Sequence, residues 1–350
     1  MRLLLQRLAG CARALARASA RECARAGVAL LLSAMAWGAA AAEPRPLGLG
    51  VSHGPVSLLI YVGDSLRLFE QEGLAIRRMK CESGRECLQR LRAGDVDVAT
   101  AADFAVALDS LSGGDIAIIG TISSSSRQIK LIARRGPELQ APAQMAGRRV
   151  GTVRGSSAEY FLHSWLLHHG VAPEGVRVMH LPPDRLVAGL IRRDVDALAI
   201  WEPIAGDARR ALRDEALELP VPLVYTQHFN LVAARRVLAD RAREPALLAL
   251  LRALRRAEQV VADDPVRAQQ ILGAHLNIPP GEAARLMAEH DHRLRLEQSL
   301  MNTLRGQGRW IQREGLGTAP AAADALGRTA DAVEPALLRG LAPAAVSITR

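Results

Sequence analysis

Gly151-Thr-Val-Arg-Gly-Ser-Ser-Ala-Glu-Tyr-Phe161 sets a short apolar run against a turn of small residues and then the first turn of a helix. Gly155 permits a sharp turn and a close approach of a ligand to the backbone. Ser156 and Ser157 offer hydroxyls beside the free N–H groups of a helix start, and with the helix dipole these make a receptor for a negative group. The spacing Ser156-x-x-Glu159 is also that of a capping box, in which the same donors are satisfied internally. Both readings require a strand that leads through a tight turn into a helix.

That order repeats outward along the chain. Short runs rich in Val, Ile and Leu predict strands over Leu47 to Ser52, Leu74 to Lys80, Val96 to Thr100, Ile116 to Thr121, Lys130 to Ala133, Arg149 to Val153, Val176 to Leu181, Ala197 to Ile200 and Asn230 to Ala233. Between them, helical periodicity marks Val56 to Gln71, Arg85 to Ala93, Ala158 to His169 and Arg185 to Arg192. Strand and helix in alternation predict an α/β fold of mostly parallel sheets flanked by helices. After Ala234 only helices are expected: Pro245 to Asp263, Pro265 to Leu276, Pro280 to His290, Leu296 to Glu314, and a last one near Ala321 to Ala332. One echo stands out, Leu91-Arg-Ala-Gly-Asp-Val-Asp-Val-Ala-Thr100 against Leu190-Ile-Arg-Arg-Asp-Val-Asp-Ala-Leu-Ala199. It suggests two similar lobes, although Gly and Asp are common in any helix-to-strand turn.

The first 42 residues run from a segment with six arginines through an apolar stretch, Val28 to Trp37, to four alanines, Ala39 to Ala42. Basic, apolar and small residues in that order read as a secretory signal peptide over 1–42, and the apolar run is shorter than the roughly 20 residues of a spanning helix. The whole chain of 350 residues carries a net charge of +9. Without those six arginines and the segment's one glutamate, 39 basic and 35 acidic side chains remain, so the basicity does not argue for nucleic acid as a partner. Two of the four cysteines also lie in that segment. The remaining Cys81 and Cys87, in CESGREC, can close a small-loop disulfide or stay as two thiols.

Carboxyl ends of parallel strands are where α/β proteins hold ligands. Asp194 through Pro203, DVDALAIWEP, ends one such strand in an aromatic residue, an acid and a proline, so Trp201 is expected to wall a pocket and Glu202 to accept from a ligand amine. Aromatic residues are 3% of the chain, and Phe104, Tyr160, Phe161, Trp201, Tyr225 and Phe229 fall near strand or loop ends, as pocket lining would. Ser52-His53-Gly54-Pro55 and the loop Thr121 to Arg127, with its four serines, offer hydroxyls, amides and Arg127 to an oxyanion. His168-His169 and His290-Asp291-His292 are read as solvated helix faces, not metal ligands. No hydrolase elbow, phosphate loop, zinc-protease or dinucleotide motif is present, and no cofactor is expected.

Several segments together resemble the periplasmic solute-binding proteins of ABC importers, in the nitrate, alkanesulfonate and taurine branch that also includes binders of thiamine-precursor pyrimidines. They are Leu68 to Leu74, Leu91 to Ala99, Gly151 to Ser157, Asp194 to Ala197 leading to Trp201-Glu202-Pro203, and Leu338 to Val346. The resemblance implies a type II periplasmic-binding-protein fold with a helical C-terminal part. One lobe would comprise 43–131 plus 229–350 and the other 132–228, closing by hinge motion on a solute. It implies ligand contacts at His53 and Gly54, Asp103 and Phe104, Ser123 and Ser124, Gly155 to Ser157, and Trp201 and Glu202. It also implies a non-enzymatic, monomeric, periplasmic receptor for a small organosulfonate such as taurine or a related nitrogen or sulfur compound, which it hands to a permease and its ATPase. Asp103 stands where many relatives carry a neutral residue, and a carboxylate facing the ligand would favour an amine or a neutral heterocycle. The alternatives are a thiamine-pyrimidine binder or synthesis enzyme on the same fold, and a sensory ligand-binding domain. The enzyme would need a cysteine-rich iron motif that two remaining cysteines do not supply.

Overall fold

The computed structural model describes residues 46–136, 141–318 and 325–349. The expected signal segment, 1–42, lies outside the described residues. The strand-forming runs assemble into two five-stranded mixed sheets. The first contains β1 (Leu47–Ser52), β2 (Ile76–Cys81), β3 (Val98–Ala102), β4 (Ile116–Ser125) and β10 (Gln227–Ala234), in the order β2-β1-β3-β10-β4. The second contains β5 (Ile129–Arg134), β6 (Arg149–Thr152), β7 (Arg177–His180), β8 (Ala197–Trp201) and β9 (Ala216–Leu219), in the order β7-β6-β8-β5-β9.

One plan is used twice. Three parallel strands, β2-β1-β3 or β7-β6-β8, are followed by a strand antiparallel to both neighbours, β10 or β5. The repeated Asp-Val-Asp segments precede β3 and β8, which occupy the same place in that plan. Their second aspartates do the same work. Asp97 Oδ2 accepts the Gly48 N–H at 2.8 Å and Asp196 Oδ2 the Arg149 N–H at 2.9 Å, each tying its strand to the start of the central parallel strand beside it.

Helices α1 (Leu58–Ser65), α2 (Leu68–Gln71), α3 (Gly84–Ala93) and α4 (Asp103–Ser110) accompany the first sheet in sequence, and α5 (Ser157–His168), α6 (Pro183–Ile191) and α7 (Ile204–Leu212) the second. After β10 come α8 (Arg235–Ala239), α9 (Glu244–Asp263), α10 (Pro265–Leu276), α11 (Pro280–Ala288), α12 (Gln298–Arg313), α13 (Ala325–Asp331) and α14 (Ala336–Leu341). Leu250 and Leu254 of α9, Leu272 of α10 and Leu300, Leu304 and Ile311 of α12 join Leu47 and Leu49 in one buried apolar cluster, so the C-terminal helices extend the core of the first sheet. Two smaller clusters, around Trp165 and around Leu198, belong to the second.

Three local expectations change. The helix over Val56 to Gln71 is broken, because Arg67 adopts φ 56°, a left-handed turn between α1 and α2. The serine run is no loop: β4 continues through Ser125, since Ser123, Ser124 and Ser125 pair with Phe229, His228 and Gln227 of β10. His290 and His292 are buried and their rings stack, so they are not on a solvated face.

Candidate ligand-binding site

A cavity of about 250 Å³ lies between the two sheets, at the carboxyl ends of their parallel strands. The first sheet contributes Ser52 and His53 after β1, Glu82 to Arg85 after β2, and Ala102 and Ala105 at β3 and α4. Opposite them stand Val153 to Ser157 after β6, Pro183 after β7, and Trp201 and Glu202 at the end of β8. Gln128, Gln227 and Phe229 come from the two passages of the chain between the sheets.

The same device appears on both sides. At α3, Ser83 Oγ accepts the Glu86 N–H at 3.3 Å while Glu86 Oε2 accepts the Glu82 N–H at 3.0 Å. At α5, Ser156 Oγ accepts the Glu159 N–H at 3.4 Å while Glu159 Oε2 accepts the Gly155 N–H at 2.6 Å. The serine half of the capping box is therefore formed, while each glutamate reaches one residue further back than the cap, and the Ser157 and Ala158 N–H groups of the first turn are left without a side-chain acceptor. Gly155 holds φ 61° in that turn. Gly84 is needed for another reason: a Cβ there would stand 2.9 Å from Ala101 Cα. Ser157 Oγ accepts from Gln227 Nε2 at 2.7 Å, a hydrogen bond that joins α5 to β10 of the other sheet.

Cys81 and Cys87 are bonded, their Cα atoms 5.5 Å apart, so the disulfide staples the end of β2 to α3 around the Glu82–Arg85 turn. His53 is half-buried, and burial, with Lys80 beside it, holds its imidazole below its ordinary pKa. Gly54, next to it, is fixed by its N–H, which donates to Tyr61 Oη at 3.1 Å.

Not every expected contact reaches this cavity. The Glu202 carboxylate is fully buried and turned to Arg209 at 2.6 Å, Arg285 at 3.1 Å and the Gly206 N–H at 2.8 Å. Burial pushes its pKa up, but the two guanidinium groups and the amide outweigh this and hold it below the ordinary value. It has no free oxygen for a ligand amine. Asp103 is likewise fully buried, accepting the Phe104 N–H at 2.7 Å, the His228 N–H at 2.8 Å, Gln307 Nε2 at 3.0 Å and the Tyr225 hydroxyl. It is a hub that ties α4, β10 and α12 together, and it does not line the cavity. Phe104 packs in the core against Trp310 and Tyr160, 5.5 and 5.9 Å between ring centres. Ser123 and Ser124 lie inside the β4–β10 pairing, and Arg295 Nη2 donates to Ser124 Oγ at 2.9 Å. Of the aromatic residues expected to line a pocket, Trp201 and Phe229 do so.

Two residues were not singled out from the sequence. Arg85 on α3 and Arg154 before Gly155 both line the cavity, and among the described residues neither is in an ion pair. Each sits beside one of the two Ser-x-x-Glu boxes, which is the signal that would have found them.

The two sheets and the cavity between them are the fold of the periplasmic binding proteins. The alkanesulfonate-binding protein SsuA of Xanthomonas axonopodis pv. citri, solved bound to MOPS, superposes with a TM-score of 0.70 at 20% identity, over 84% of this chain and 100% of that one. The nitrate-binding protein NrtA of Synechocystis PCC 6803 gives 0.66 at 15% identity, over 86% and 89%. Residues 55–268, more than half of the chain, match the NMT1/THI5-like family, to which this protein belongs. The taurine-binding periplasmic protein of Escherichia coli (strain K12) is 23% identical over 134 residues, 38% of this chain and 41% of that one. The chain spans about half the length of the curated relatives it matches.

Proposed function

We propose that this protein is a periplasmic solute receptor of an ABC importer, taking a small organosulfonate or a related organic anion and releasing it unchanged to a permease with its ATPase. The observation that carries the reading is the composition of the cavity. Its polar lining gathers Arg85, Arg154 and the first turns of two helices, all of which attract negative charge. Beside these stand Val56, Ala102, Ala105, Val153, Pro183, Trp201 and Phe229, facing what would be the organic body of the ligand. In this reading His53, Gly155, Ser156, Ser157 and Trp201 contact the ligand. The lobes are 43–131 with 229–350 and 132–228, and they close about the two passages between the sheets.

The test is thermal unfolding of the full chain with alkanesulfonates, taurine, nitrate and sulfate at fixed ionic strength. A ligand at 100 times its Kd adds about 2.7 kcal/mol to the folded state, which a melting curve resolves. Mass spectrometry of the released ligand should return its original mass. Flat melting temperatures across every anion would overturn the proposal, and a chemically altered ligand would overturn its non-enzymatic part.

A further inference from the structure

The charges in the cavity are one-sided. Arg85 belongs to the first sheet's helix α3 and Arg154 to the second sheet's β6–α5 turn, yet Arg85 reaches over that turn: its Nη1 would lie 3.9 Å from a Cβ built on Gly155. Several arginines of the molecule are matched, as in Arg209 and Arg285 with Glu202, Arg210 with Glu282 at 2.7 Å and Arg149 with Asp196 at 2.8 Å. These two are not, among the described residues. The amino ends of α3 and α5 add partial charge of the same sign to the same space.

No free buried carboxylate in the cavity balances them. Glu202 contributes to the lining, but its carboxylate is committed to Arg209, Arg285 and the Gly206 N–H. Asp103 is outside the cavity and committed to four donors. Glu82 is the remaining carboxylate in the lining; its side chain is 80% exposed and lies 3.6 Å from Lys80 Nζ. An ammonium group entering here would leave water for a site with two guanidinium groups, two helix amino ends and no uncommitted buried carboxylate. A methyl group at the same position would meet Trp201, Phe229 and Val153. Burying an unpaired charge costs far more than burying a methyl group, and specificity follows from that difference.

We propose that this receptor selects organic anions without a cationic pole and rejects zwitterions such as taurine, with Arg85 and Arg154 as the residues that decide it. The inference rests on the reading of this cavity as an anion receptor and narrows its substrate class. Because the two arginines come from different sheets, the ligand's anionic group is the counterion that joins them.

Propane-1-sulfonate and taurine differ by a methyl in place of an ammonium group, so titration calorimetry of the full chain with this pair isolates the effect. Propane-1-sulfonate is expected to bind at least tenfold more tightly than taurine. Arg85→Gln and Arg154→Gln should each weaken propane-1-sulfonate at least tenfold and, combined, should narrow the preference over taurine. Both side chains are exposed, so unchanged circular dichroism and unliganded melting temperature serve as the folding control. Equal binding of the two compounds, or either substitution without effect on affinity, would overturn this inference while leaving the receptor reading intact. Failure of both compounds and of every other anion to bind would instead overturn the receptor reading itself.

Discussion

At Glu202 one fully buried carboxylate is shared by two partly exposed guanidinium groups and an amide, all within 3.1 Å. Without Glu202, Arg209 and Arg285 keep Glu218 and Glu289 as partners and the Gly206 N–H loses its acceptor, so Glu202→Ala is expected to cost about 1–3 kcal/mol in urea unfolding. A loss below 1 kcal/mol would show that the network is already hydrated. Gly155→Ala meets no atom closer than 3.6 Å, so its cost is the φ of 61° alone, about 1–2 kcal/mol. Gly155, Ser156, Ser157 and Trp201 were legible as cavity residues because a turn between strand and helix is a local pattern. Glu202 and Asp103 were not. Residue type says that an acid stands at a strand end, but Glu202 finds Arg285 83 residues on and Asp103 finds Gln307 204 residues on, and only the fold brings those partners together.

Among the elements, α3 and α5 carry the site, and each is set by its cap. Ser83→Ala and Ser156→Ala are each expected to lower stability by about 1 kcal/mol, measured by chemical denaturation. The disulfide constrains the turn before α3 more firmly. Closing a loop as short as Cys81 to Cys87 removes chain entropy worth about 2 kcal/mol, so reduction, or Cys81→Ser, should lower the melting temperature by several degrees. A reduced protein that melts with the oxidised one would contradict this. Short apolar runs revealed nine of the ten strands. β9 was missed because its four residues, Ala216–Leu219, follow α7 through only a short turn and alternate no more clearly than a loop does. The serine run was misread because hydroxyl side chains usually mark turns, whereas here β10 on one side and Asp291 on the other supply β4 with partners.

Across the whole molecule, charged and polar pairs link the second sheet to the C-terminal helices. Lys130 of β5 pairs with Glu289 at 3.0 Å, Arg210 of α7 pairs with Glu282 of α11, and Gln128 Oε1 lies 2.7 Å from His290 Nε2. Burial lowers the pKa of His290 to about 4 and that of His292 to about 3. Unfolding restores values near 6.5, so below that pH the unfolded chain takes up protons that the folded chain refuses. Stability from these two groups is complete above pH 6.5 and is lost as pH falls toward 4, by about 1.4 kcal/mol per pH unit for each histidine. Urea titrations between pH 7 and 5 should show that slope, and His292→Leu should reduce it. An unchanged slope in the variant would remove His292 from the account. The doubled architecture was visible in the Asp-Val-Asp echo, since each copy keeps the aspartate that ties its strand to the neighbouring one. Which helices share a core with which sheet was not visible, because amphipathic periodicity gives a buried face without naming what covers it.

The central place of β10 in the first sheet sets a timetable for assembly. Thr121 and Asn230 are paired across β4 and β10 yet stand 109 residues apart, while the second sheet uses only the continuous stretch 129–219. The second sheet can therefore order from its own segment, and the first stays open between β3 and β4 until residue 234 is available, since distant pairings form late. One wall of the cavity thus matures before the other, and a chain stopped short of β10 would hold the Ser156 turn without Gln227 and Phe229 and against an unfinished sheet.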